Sequence, residues 1–357
     1  MKSHHLLAIV ALPLLLSGCG ENTGGVAGSG VAGSGAGGVA GSGAIGGEGG
    51  SGGSGGTAGN GGTGGDGGSG GVSGAGGTGA VGGTGGTGGT GAVGGTGGTA
   101  GSGGTGGSGF PSVTSVTMPG PFATKNPQGD AEGPGCTVHR PATLGEGGLK
   151  HPVIVWGMGT GGFNLYQPAF ELWASHGFIV VGDIQGNGQG DGVEMLGCLD
   201  HICTTYAPHV DCRAGTTGHS QGGGGAIMAG RDPRVIVTAP VQPYIQQGFG
   251  GYDQASIDQQ TGPMLLLSGT LDNIATPAIH QQPVFDGTNV PVVWANRVGE
   301  DHVSVGTDGL ESYRSEILAW FRIHLMGDAT FRPMFYGPNC ELCGDTTHWM
   351  VQRKGVQ

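Results

Sequence analysis

Short apolar runs without internal polar positions recur through the C-terminal two-thirds of the chain, at Pro152 to Trp156, Phe178 to Val181, Val235 to Thr238, Met264 to Leu267 and Val290 to Trp294. A strand with one wet face alternates apolar and polar residues, whereas one covered on both faces reads as an unbroken, β-branched-rich run. Between these runs the spacing changes to threes and fours, which predicts helices over Gln167 to Ser175, Ser220 to Ala229 and Leu310 to Leu325. In the last of these Leu310, Tyr313, Ile317, Phe321 and Leu325 make one apolar stripe that stops before Gly327. Strand and helix in alternation predict an α/β fold, a mostly parallel central sheet with helices on both faces. Ligands of such a sheet are expected beyond the carboxyl ends of its strands.

The first third of the chain has a different pattern. Lys2, an apolar run from Leu6 to Leu16 and then Leu16-Ser17-Gly18-Cys19 resemble a bacterial lipoprotein signal, and the run is too short to span a bilayer. That resemblance implies lipidation at Cys19, export, and, with Gly20 following, an outer-membrane or cell-surface location. Residues 20–109 are Gly with Ser, Thr, Ala and a few Val, including repeated Gly-Gly-Thr triplets between Gly77 and Thr99. So few side chains cannot offset the entropy of ordering the backbone, so a disordered tether is expected, with a coil span on the order of 50 Å for about 90 residues. Only residues 110–357, beginning at Phe110, can bury a core, and they make one domain of ordinary size. A formal charge of −12 argues against nucleic acid and against an anionic lipid surface as partners. Contact with a membrane is expected through the N-terminal lipid only, and the domain is expected to be a monomer without cofactor or metal.

The chemistry centres on Gly218-His219-Ser220-Gln221-Gly222, a G-x-S-x-G sequence between the strand-like Ala214 to Thr217 and a helix start. With 88 glycines in 357 residues the pattern also arises by composition, as at Gly49 to Gly53, so its context carries the argument. A sharp strand-to-helix turn would lift the Ser220 hydroxyl above the sheet, and Gly218 and Gly222 leave it room. Asp272 follows the Met264 to Leu267 strand and His302 follows the Val290 to Trp294 strand, so both leave carboxyl ends on the rim that carries Ser220. The chain order Ser, Asp, His is that of the α/β-hydrolases, with Ser220 as nucleophile, His302 as base and Asp272 as the acid that orients it. Asp301 is a weaker acid because neighbouring side chains diverge, and Asp232 and Asp286 lack the strand-end placement. The backbone N–H of Gln221 is expected in an oxyanion hole, completed by Met158 or Gly159 from the Gly157 to Gly162 loop.

Four stretches, Ala174 to Val181, Gly218 to Gly225, Thr238 to Tyr244 and Pro263 to Asp272, together with the tail from Ala319 to Arg332, resemble the bacterial cutinases and poly(ethylene terephthalate) hydrolases. The resemblance implies an α/β-hydrolase fold, the same triad, and Tyr244 where that family has a tryptophan lining the substrate cleft. It also implies an ester substrate, small or polymeric. The sequence departs from the family near Gly159, where an aromatic residue is usual, at Gln221, where methionine is usual, and over Gln185 to Asp211. With Tyr244 giving one aromatic face and the Gly157 to Gly162 loop none, short acyl esters are expected to turn over well, aliphatic polyesters less so, and poly(ethylene terephthalate) slowly or not at all. A surface-binding lipoprotein that keeps the hydrolase scaffold, or a lipase, peptidase or dienelactone-type hydrolase, are the alternatives.

Seven cysteines minus Cys19 leave Cys136, Cys198, Cys203, Cys212, Cys340 and Cys343, an even set that favours disulfides in an exported protein. The simplest scheme joins Cys136 to one of Cys198, Cys203 and Cys212, closes the other two on each other, and pairs Cys340 with Cys343. A zinc site from Cys198, His201, Cys203 and His209 is the rival reading, at an unusual spacing.

Overall fold

The computed structural model describes residues 109–356, apart from 134, 160–161, 184–189 and 247–252. The readings of the signal, of Cys19 and of the glycine-rich stretch up to residue 108 lie outside the described residues.

Among the described residues one nine-stranded sheet runs β1-β2-β4-β3-β5-β6-β7-β8-β9. Its strands are β1 (Asp130–Glu132), β2 (Cys136–His139), β3 (His151–Gly157), β4 (Ile179–Asp183), β5 (Val210–His219), β6 (Val235–Val241), β7 (Met264–Gly269), β8 (Val292–Arg297) and β9 (Trp349–Lys354). From β4 through β8 all neighbours are parallel, while β1, β2 and β9 join antiparallel at the two edges. The helices that matter for the site are α1 (Gln167–Ser175), α2 (Val193–Thr205), α3 (Gln221–Ala229), α4 (Gln254–Asp258), α5 (Pro277–His280), α6 (Gln282–Gly287), α7 (Ser304–Thr307) and α8 (Arg314–Met326). This is an α/β fold with a mostly parallel mixed sheet.

The unbroken apolar runs have the cause expected for them. Ile154 and Trp156 of β3, Leu265 and Leu267 of β7, and Val293 and Ala295 of β8 join the cluster containing Phe170 of α1 and Phe321 of α8. Val153 and Val155 point to the other face, against Leu199 and Ile202 of α2. Farther along that face Met264, Leu266, Val292 and Trp294 pack with Ile227 of α3 and Ile257 of α4. Each such side chain contributes about 1.5–3 kcal/mol on full burial, so alternate residues stabilise opposite layers.

Two helix starts differ from the expected ones, and in each case φ decides. Helix α3 begins after Ser220, whose φ of 59° is not helical. Helix α8 begins at Arg314, not Leu310, because Gly309 and Leu310 both have positive φ, 70° and 61°. The side chains of Leu310 and Tyr313 nonetheless remain in the core stripe.

Disulfides join Cys136 to Cys198, Cys203 to Cys212 and Cys340 to Cys343, one of the three pairings that the simplest scheme left open. The first ties β2, the strand next to the edge, to α2. With Cys198 and Cys203 so bonded, and His201 on the Glu132 carboxylate at 3.0 Å, the alternative zinc set does not assemble. Among the described residues no helix is long and apolar enough to cross a membrane.

Candidate active site

Strand β5 ends at His219 and α3 starts at Gln221, so the chain reverses at Ser220 alone. The turn costs strain, with φ 59° and ψ −122° at a residue that has a Cβ, and such conformations persist only where the surroundings fix them. Here three backbone bonds do so: Ser220 N donates to Val241 O at 3.1 Å, and Ser220 O accepts from Gly224 N at 3.1 Å and Tyr244 N at 2.8 Å. The flanking glycines are there for space. A Cβ on Gly218 would lie 2.4 Å from Gly222 O, and one on Gly222 only 2.0 Å from Gly157 O.

The structure brings the three residues singled out by order into one hydrogen-bonded series. Ser220 Oγ donates to His302 Nε2 at 2.9 Å, and His302 Nδ1 donates to Asp272 Oδ2 at 2.8 Å. All three side chains are buried. The other oxygen of Asp272, Oδ1, accepts from the N–H groups of Ile274 at 2.9 Å and Ala275 at 2.7 Å, which fixes the carboxylate plane. The loops carrying Asp272 and His302 are stitched together, Leu271 N donating to Glu300 O at 2.9 Å.

The rival acids are occupied elsewhere. Asp301 caps the turn into α7, accepting from Val303 N and Ser304 N, each at 2.8 Å. Asp232 pairs with Arg234, and Asp286 accepts from Gln282.

As the first residue of α3, Gln221 has a backbone N–H without an acceptor inside the helix. Gly159 lies directly against the turn, since a Cβ there would stand 2.7 Å from His219 O and 3.1 Å from Ser220 Cβ. A side chain at this position would require the turn to shift. Met158 is half-buried and packs on the core.

Ser220 and His302 open into a cleft of about 280 Å³, lined also by Leu165, Tyr166, Tyr244, Ile274, Val303 and Thr307. No lining residue carries a permanent charge, which suits a neutral ligand. Tyr244 is half-exposed at the wall, its ring 4.5 Å from that of His280. Tyr166 enters the same cleft from the turn before α1, a second aromatic that the Gly157 to Gly162 loop did not foretell. Being 1% exposed, it closes the floor and offers no open face for stacking.

Two further polar residues, His219 and Gln242, were not singled out from the sequence. His219 lies within the pentapeptide itself, with its ring centroid 4.6 Å from that of His302. Its Nδ1 accepts from the Tyr166 hydroxyl at 2.8 Å and its Nε2 donates to Gln242 Oε1 at 3.1 Å, which defines a neutral imidazole. Burial first, and the adjacent His302 second, push its pKa down to about 3. Burial likewise raises the Tyr166 hydroxyl to about 12, so it stays a donor.

No family model matches the chain. Over 167 residues it is 29% identical to the bis(hydroxyethyl) terephthalate hydrolase of Streptomyces coelicolor, a match covering 43% of this chain and 49% of the relative. The chain thus spans about half the length of that curated relative.

Proposed function

We propose that this protein is a serine carboxylic-ester hydrolase of the cutinase and polyesterase type, on an α/β-hydrolase fold, working through an acyl-enzyme. The observation that carries this reading is the Ser220–His302–Asp272 series, at 2.9 and 2.8 Å, at the mouth of an uncharged cleft. The ester-hydrolase name of the partial relative supports it, as does the position of Ser220 between a parallel strand and a helix.

In this mechanism His302 Nε2 takes the Ser220 proton as Oγ forms a bond to the acyl carbon, and the carbonyl π electrons move onto oxygen. Asp272 stabilises the imidazolium that results and keeps Nδ1 as the donor. The N–H of Gln221, with that of Met158 or Gly159, holds the oxyanion, each such donor being worth roughly 2.7–4 kcal/mol in the transition state. Collapse expels the alcohol, which leaves with the proton from His302. Water then attacks the acyl-enzyme by the same route, giving up its proton to His302, which returns it to Ser220.

The cleft argues for short acyl groups, since drug-sized ligands fill pockets of about 300–1,000 Å³ and this one is about 280 Å³. With Tyr244 the half-exposed aromatic on the cleft wall among the described residues, turnover should fall from short-chain esters to aliphatic polyesters to poly(ethylene terephthalate). The first third of the chain is proposed to export the enzyme and hold it at the outer membrane through a lipid on Cys19.

The test is hydrolysis of chromogenic acetate and butyrate esters by the purified protein, beside its Ser220→Ala variant. Turnover should drop about 10⁶-fold in the variant. Retention of more than a few per cent of activity, or none in the wild type, overturns the reading. Tyr244→Ala should depress polyester hydrolysis more than short-ester hydrolysis, and equal losses would show that Tyr244 does not hold the polymer.

A further inference from the structure

The buried residue Gln242 lies just past the end of β6, with no exposure and a φ of 41°. Only three non-glycine residues among those described have positive φ, namely Ser220, Gln242 and Leu310. Two of the three therefore flank the site. The strained backbone is fixed by Gln242 N donating to Leu267 O at 2.8 Å, and the side-chain amide is used at both ends. Its Oε1 accepts from His219 Nε2 at 3.1 Å, and its Nε2 donates to the backbone carbonyl of Asp301 at 3.0 Å. Asp301 immediately precedes His302. A continuous series, Tyr166 to His219 to Gln242 to Asp301, thus runs from the cleft floor through the nucleophile turn to the loop that carries the base.

We propose that Gln242 is a positioning residue for His302: its amide pins the base-bearing loop through the Asp301 carbonyl and holds neighbouring His219 in its neutral tautomer. The inference rests on the triad reading above. Pinning matters because His302 reaches Ser220 from a loop five residues past β8, and no strand bond reaches that far. Neutrality matters because His302 becomes a cation during each half-reaction. A second cation with its ring 4.6 Å away would oppose that step through like-charge repulsion. An amide oxygen accepts the one N–H of a neutral imidazole, and the Tyr166 hydroxyl occupies the other nitrogen, so the site offers a second proton no strong acceptor. The ionisable groups around His219 and His302 are Tyr166, Asp272, His280, Asp301 and Tyr313, with Glu300 beside Tyr313. Of the nearest carboxyls, Asp272 is already bonded to His302 and Asp301 caps the turn into α7.

The experiment compares wild type, Gln242→Leu and Gln242→Glu for kcat, KM and the pH profile of kcat/KM on a short chromogenic ester, with Ser220→Ala in parallel. Thermal melting checks folding. In Gln242→Leu kcat should fall roughly 10- to 100-fold with KM changed less than about twofold, as a fault in the base and not in the cleft requires. Gln242→Glu is nearly isosteric but places a carboxylate on His219 and removes the donor to Asp301, so the acid limb of kcat/KM should move upward by about one pH unit or more. If Gln242→Leu does not fold, that pH shift decides the matter. A folded Gln242→Leu variant with kcat within twofold of wild type, or a Gln242→Glu profile that superimposes on the wild-type one, overturns the proposal. Activity surviving in Ser220→Ala would instead sink the triad reading on which it rests.

Discussion

Asp272 shows how one side chain is committed at both ends. Oδ1 accepts two backbone N–H groups and Oδ2 accepts the His302 Nδ1–H. An asparagine has only one acceptor oxygen, and the two backbone donors would claim it. The NH₂ would then face His302 Nδ1, forcing the imidazole into the wrong tautomer, with its proton on the nitrogen that should accept from Ser220. Asp272→Asn should therefore lower kcat by about 10⁴-fold while KM and the melting temperature change little. Steady-state kinetics with calorimetry checks this, and a loss below tenfold would show that the carboxylate is not the orienting group.

At the level of the element, α3 is unusual in opening with Gln221-Gly222-Gly223-Gly224-Gly225, a run that costs roughly 0.5–1 kcal/mol per glycine relative to alanine. The cost is offset by approach. Cβ atoms at Gly222, Gly223 and Gly224 would stand 2.0 Å from Gly157 O, 2.9 Å from Pro243 Cα and 2.8 Å from Tyr244 O, all backbone. At Gly225 the nearest atom is the flexible Met195 Sδ at 3.2 Å. Gly222→Ala should force α3 away from β3, abolishing activity and destabilising the fold by about 1–3 kcal/mol or more. Gly225→Ala should leave activity within a few-fold and hold or raise the melting temperature. If both variants behave alike, close approach is not what the glycine run serves.

For the whole molecule the pH dependence follows from its buried histidines. Burial holds His139 and His176 at about 4, and His219 at about 3, against an ordinary value of 6.5. Among the described residues His139 has no hydrogen-bond partner on either ring nitrogen, and it packs against the adjacent rings of Phe163 and Phe170. Unfolded chains take up these protons below about pH 6.5 while the native state refuses them until near pH 4, so stability falls as pH drops through that interval. Glu316 acts in the opposite sense: burial pushes its carboxyl up to about 7, so it costs stability as pH rises from 4.5 to 7. Melting curves should therefore show a marked loss between pH 6.5 and 4. Glu316→Gln should raise the melting temperature at pH 8 and not at pH 4. A flat profile across pH 4 to 6.5 would mean that these rings are hydrated.

What the sequence by itself determined is whatever a local run of residues can encode. A strand buried on both faces must be apolar throughout, so Pro152 to Trp156 and Met264 to Leu267 announced β3 and β7. A serine turned between strand and helix needs glycines on either side, so Ser220 stood out once its context was read. Asp272 and His302 followed from lying just past strand ends, because parallel strands deliver their carboxyl ends to one rim. The antiparallel strands β1, β2 and β9 were not legible, being short or alternating, with β2 and β9 pairing to the parallel sheet across long stretches of sequence. Tertiary structure alone decided that Cys136 meets Cys198, that Tyr166 floors the cleft, and that Gln242 bridges His219 and the Asp301 carbonyl. Each of these depends on a side chain reaching between elements 23 to 62 residues apart or on two loops converging in space, and neither periodicity nor residue type carries that information.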